Sequence, residues 1–153
     1  MKKTVSAICL AGLLLAGPLA AQVRDETVLT YDVIQSERKN IVMDALDITA
    51  EQTKALSPIY DAYLAELESL DAQLVDLIKR FLSSYKALED PVAQQMTEEM
   101  MEIDQAELDI KKYYTRRFGE VLPARKVLRL WQIENKLDTV IDAEIARDIP
   151  LAR

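Results

Sequence analysis

Apolar positions recur along residues 56–81 at steps of 4, 3, 4, 3, 4, 3 and 4: Leu56, Tyr60, Tyr63, Leu67, Leu70, Leu74, Leu77 and Phe81. Alternating steps of three and four keep side chains on one face of an α-helix, and several successive repeats make a heptad-like seam. Ile59, Leu64, Ile78 and Leu82 widen the seam into a core-facing band. Just ahead of it, "ITAEQ" places Thr49 three residues before Gln52. That spacing predicts a capping box: the Thr49 hydroxyl accepts from the Gln52 N–H, and the Gln52 side chain accepts from the Thr49 N–H. Pro58 falls inside the predicted helix, where it removes one backbone hydrogen bond and is expected to kink the axis. From Thr49 to Leu88 the segment would extend roughly 60 Å. A compact domain of this size does not cover such a seam, so an extended hairpin or a dimer is expected.

The rest of the chain reads as helix too. Residues 30–46 form a first short helix with Ile34, Ile41 and Ala45 on one stripe. "LEDPVAQQM" punctuates the chain, with Asp90 as N-cap and Pro91 in the first helical position. The third helix, over 91–121, carries Val92, Met96, Met100, Ile103, Ala106, Ile110, Tyr113 and Phe118 near one face. Its carboxylates crowd the start and its cations the end, which complements the helix dipole. In "VLPARK", Pro123 disfavours helical backbone at Leu122 and suits a helix start. A fourth helix over 123–147 packs Val127, Leu130, Trp131, Leu137, Val140 and Ile141. Gly is scarce and no Asn-Gly or Asp-Gly hairpin turn occurs. The expected fold is all-α, an elongated four-helix hairpin or cradle with a long kinked second helix, dimeric through the seam.

The N-terminus changes the setting. "MKKTVSAICLAGLLLAGPLAAQ" has a basic start, an apolar run and a small-residue end. It reads as a secretory signal peptide over 1–21, cleaved near Ala21, and its apolar run is too short to span a bilayer. Ile8 before Cys9 stands where lipidation needs a small residue. Residues 22–153 would then be one exported, periplasmic domain without a transmembrane segment. That domain has neither Cys nor His, since Cys9 is the chain's one cysteine and histidine is absent. Disulfides, thiolate or imidazole metal ligation and His- or Cys-activated nucleophiles are thereby excluded. Removing Lys2 and Lys3 leaves 17 cations against 26 carboxylates, a net of −9. So acidic a domain is not expected to bind nucleic acid.

Signal peptide, length, helical pattern and the box Ile48-Thr49-Ala50-Glu51-Gln52 together resemble the Spy/CpxP-like periplasmic family, named for its LTxxQ motifs. The resemblance covers the mature chain in architecture. At the second box, which would open on Leu122, Pro123 and Lys126 stand in place of Thr and Gln. It implies a cradle-like, usually dimeric helical subunit acting in envelope stress. Members are ATP-independent chaperones, modulators of a sensor kinase, and metal-resistance proteins. The implied partners are unfolded or envelope proteins, a sensor kinase among them, with no cofactor.

No residue constellation looks catalytic, and the Glu98–Glu102 pair reads as a solvated helix face. Met96, Met100 and Met101 offer thioethers suited to Cu(I), or adaptable apolar contacts in a core or on a binding surface. Charge is unevenly distributed. Residues 44–76 hold eight carboxylates against Lys54, whereas 111–129 hold seven cations against Glu120. Arg116, Arg117, Arg125 and Arg129, with Tyr113 and Tyr114, are the expected partner-binding surface, the alternative being a solvated helix end. Trp131 is expected in the core. The reading is a non-enzymatic protein-binding protein, chaperone-like or regulatory. The rivals are an envelope metal-binding protein and a structural envelope component.

Overall fold

The computed structural model describes residues 36–152. The expected signal peptide, its cleavage near Ala21 and the start of the first helix lie outside the described residues. Four helices follow in order: α1 (described over 36–46), α2 (Ala50–Ser84), α3 (Asp90–Gly119) and α4 (Ala124–Asp148), with a 3₁₀ turn at Tyr85–Ala87 between α2 and α3. The described chain is all-α. None of its helices is long and apolar enough to cross a membrane.

Local chemistry sets the boundaries. The Thr49 box is present: Gln52 N–H donates to Thr49 Oγ1 at 3.2 Å and Thr49 N–H to Gln52 Oε1 at 3.0 Å. Thr49→Ala should destabilise the fold by about 1 kcal/mol in a urea titration, with Gln52→Ala costing less. The helix runs unbroken through Pro58, at a length of about 52 Å. It stops where the Ser83 and Ser84 hydroxyls donate to the Arg80 carbonyl, at 2.7 and 3.0 Å, and the chain tightens into the 3₁₀ turn. At α3 the N-cap is Glu89 rather than Asp90, which becomes the first helical residue. The Glu89 carbonyl accepts the first helical bond, from Ala93 N–H at 2.9 Å, and the donor-less Pro91 fits the first turn. Pro123 is the N-cap of α4, its carbonyl accepting from Lys126 and Val127 at 2.8 and 3.1 Å.

Between α1 and α2 the chain reverses at Asp47, which has φ 52°. This left-handed conformation just past a helix end is the one glycine adopts most readily. Asp47→Gly should therefore stabilise the fold by about 0.5–1 kcal/mol. A melting temperature unchanged or lowered by the substitution would mean that the Asp47 carboxylate matters more than its backbone.

The core occupies one end of the molecule. Val42 and Leu46 of α1, Leu56, Tyr60 and Tyr63 of α2, Tyr114 and Phe118 of α3, Leu122, and Val127 and Leu130 of α4 form one buried cluster. α2 and α3 continue past it as an antiparallel pair, tied by the Arg80–Glu99 ion pair. Along that arm only Leu77 and Ile103 are buried.

One expected face shifts by one residue, and two others hold with exceptions: Ile103 and Phe118 of α3 and Val127, Leu130 and Ile141 of α4 are buried as expected. In α1 the buried stripe is Arg38, Val42 and Leu46, and Ile41 is exposed. In α3 Tyr114 turns inward while Tyr113, Val92 and Met100 are exposed, and in α4 Val140 faces solvent. In α1 and α4 a charged residue holds a core position, Arg38 on one and Glu134 on the other, which an apolar count passes over.

Candidate functional site

Glu134 is fully buried and Arg38 is 3 % exposed. The Arg38 guanidinium donates to Glu134 Oε2 from Nε at 3.1 Å and from Nη2 at 2.6 Å. Nη2 also donates to Asp138 Oδ1 at 2.5 Å. Tyr60 donates to the other Glu134 oxygen, and the Tyr63 hydroxyl lies 3.4 Å from Oε2. Asp138 in turn accepts from Lys111 at 3.3 Å, and Lys111 pairs with Glu107 at 2.6 Å. The charges of this network come from α1, α3 and α4, and α2 joins it through the Tyr60 and Tyr63 hydroxyls. Burial alone would lower the Arg38 pKa, but the Glu134 and Asp138 carboxylates more than offset it and raise it. Both oxygens of Glu134 are taken by neighbouring donors, and the group is closed to solvent. As arranged, the Glu134 carboxylate joins α1, α2 and α4 and presents no free oxygen to a substrate.

Burial raises the pKa of three phenols. Tyr60 and Tyr63 lie well above the ordinary tyrosine value, with the Glu134 charge adding to the effect of burial. Tyr114 is pushed up to about 12 by burial and by its bond to Glu66. The unfolded chain ionises these groups near pH 10 while the folded chain keeps their protons. Their contribution is therefore complete below about pH 10 and is lost as pH rises above it, by about 1.4 kcal/mol per pH unit for each phenol ionised only when unfolded. Urea titrations at rising alkaline pH check this; a midpoint constant through that range would contradict it.

The cations of the basic region are engaged in different ways. Lys126 donates to the Leu46 carbonyl at 2.8 Å and also to the Asp47 carbonyl, and Arg129 donates to the Ala45 carbonyl at 2.7 Å. These cations cap the carbonyl end of α1, where the helix dipole favours positive charge. Arg117 bonds the Tyr113 hydroxyl at 3.1 Å and Glu120 at 3.3 Å, and Lys112 pairs with Asp109 at 3.0 Å. Arg116 and Arg125 are exposed and have no side-chain partner among the described residues. Tyr113 is 44 % exposed. Tyr114, expected on the same surface, is instead a core residue at 3 % exposure, its hydroxyl donating to Glu66 at 2.8 Å.

Trp131 is half-buried, edge-on to Tyr63 at 5.7 Å and tilted against Phe118 at 5.8 Å. Its Nε1 is buried with no hydrogen-bond partner among the described residues. Beside it a groove of about 390 Å³ opens between the end of α3 and the start of α4, lined by Thr115, Gly119, Ala124, Val127, Leu128 and Trp131.

Of the thioether candidates, Met96 is half-buried while Met100 and Met101 are exposed. Among the described residues no group of three or more His, Cys, Asp or Glu side chains is placed to hold a metal ion. The residues missed from sequence are Arg38 and Glu134. Their signal was a charged residue at a core step of the heptad pattern: Glu134 stands between Leu130 and Leu137, four residues after one and three before the other. Neither family models nor curated proteins nor solved structures give a match to this chain.

Proposed function

We propose that the chain is an exported, non-enzymatic helical protein that binds other polypeptides, chaperone-like or regulatory in the cell envelope. The observation that carries this reading is the α2–α3 arm. Beyond the core, the α2 seam residues Leu70, Leu74 and Phe81 are only half-buried. Val75, Leu82, Val92, Met100 and Met101 of the arm are exposed. Apolar surface gathered along one extended element is an interaction site more readily than a chance exposure. The export pattern over 1–21 and the Spy/CpxP-like resemblance support the envelope setting. The arm's apolar face also suits a second copy, so the protein is proposed to be a homodimer with α2 contributing to the interface. The basic surface around the α3–α4 turn is proposed as a second contact region.

The test is suppression of aggregation of an unfolded model substrate, with and without Cu(I). Suppression without metal is the expected result. No suppression in either arm removes the reading, and suppression only with copper transfers the function to the methionines. Sedimentation of a monomer at tens of micromolar protein would remove the dimer.

A further inference from the structure

The groove between α3 and α4 has an apolar lining, and the exposed Arg116 and Arg125 each precede a lining residue, Gly119 and Leu128, by three positions, the spacing of neighbours on a helix surface. Leu128 lies in it at 59 % exposure, beside the half-buried Trp131. By helical periodicity Arg116 flanks the Thr115–Gly119 side and Arg125 flanks the Ala124–Leu128 side. These two arginines are the cations of the basic region with neither a side-chain nor a carbonyl partner among the described residues, and Glu120, the only carboxylate between residues 111 and 129, is engaged by Arg117. An uncharged apolar ligand would gain nothing from the two guanidinium groups, which stay hydrated. A basic one would meet repulsion. We infer that the groove receives a polypeptide segment that presents a large apolar side chain flanked by carboxylates.

In that complex the apolar side chain packs on Leu128 and the Trp131 ring, and the flanking carboxylates pair with Arg116 and Arg125. The inference rests on the reading of the chain as a polypeptide binder, and it names the chemistry one of its sites selects. Charge supplies the selection, so discrimination against a basic segment weakens as salt rises, while apolar contact persists.

Gly119 makes the inference testable without unfolding the protein. It lies on the groove wall, and a Cβ added there meets no atom within 4 Å. A leucine at this position therefore fills open space and improves helix propensity. The experiment titrates the full chain with two labelled peptides, each with a central Leu-Phe, one flanked by Glu and the other by Lys. Anisotropy and the emission of Trp131, the only tryptophan, report binding.

The Glu-flanked peptide is expected to bind more tightly, by several-fold up to about tenfold at low salt, as two exposed ion pairs allow. Arg116→Gln with Arg125→Gln should erase that preference. Gly119→Leu should abolish binding of both peptides with the melting temperature unchanged or raised. Equal binding of the two peptides, unaltered binding by the leucine variant, or no binding would each overturn the inference. So would a Trp131 emission shift that follows protein concentration without peptide, which would assign the groove to a second copy. If the parent suppresses aggregation and Gly119→Leu does so equally, the groove fails while the wider function stands. If the parent does not suppress aggregation, the wider function itself fails.

Discussion

Glu134→Ala is expected to destabilise the protein by about 3–5 kcal/mol, because it leaves the Arg38 guanidinium buried without its main partner. Domains of this size are stable by about 5–15 kcal/mol, so the loss would be a large part of the total. Arg38→Ala should do comparable damage by stranding the Glu134 carboxylate, which Tyr60 and Tyr63 alone cannot neutralise. Asp138 tempers the first substitution, since it already accepts from Arg38 at 2.5 Å. The paired replacement Arg38→Met with Glu134→Leu should cost far less than either single change, because it removes both desolvated charges and keeps the volume. A double-mutant cycle by urea titration measures the coupling directly. Single substitutions that each cost under about 1 kcal/mol would show that the pair does not hold α1 against α4. Hydrogen exchange supplies a second reading: with Glu134 replaced, amides of α1 should lose protection before those of α2 and α3.

Phe118→Ala should cost about 3–5 kcal/mol, within the usual range for deleting a buried aromatic ring. Phe118 is fully buried, and four rings surround it: Tyr63 and Trp131 at 5.8 Å, Tyr114 at 5.9 Å and Tyr60 at 6.2 Å. These rings come from α2, α3 and α4, so a cavity at Phe118 cannot close without moving one helix relative to another. Trp131 forms part of the wall, and its emission should shift to the red in the folded variant as water enters. A loss below about 1 kcal/mol, with unchanged emission, would mean that the surrounding rings collapse into the space and that packing here is looser than the ring distances imply.

What the sequence determined by itself was governed by neighbours within one helical turn, although the N-cap of α3 fell one residue earlier than expected. The Thr49–Gln52 box, the breaks near Pro91 and Pro123 and the all-helical pattern are local, because capping and backbone bonding link residues three or four apart. The α2 seam is local in the same sense, and it places Leu56, Tyr60 and Tyr63 correctly in the core. The basic region was legible as composition, but the purpose of each cation was not. Lys126 and Arg129 serve the end of a helix some eighty residues earlier, at separations of 80 and 84. Only the packed chain separates them from Arg116 and Arg125.

Tertiary structure also decided which charged residues go inside. Arg38 and Glu134 are 96 positions apart. Glu134 stands at a core step between Leu130 and Leu137, but a single buried charge is too costly to place in a core on that spacing alone. Burial becomes tolerable only when the fold brings the two charges together, and nothing local to either residue announces the partner. Tyr113 and Tyr114 follow the same logic on a smaller scale. Adjacent and identical in type, they are told apart only by the packing of α2 against α3, which turns Tyr114 toward Glu66 and leaves Tyr113 at the surface.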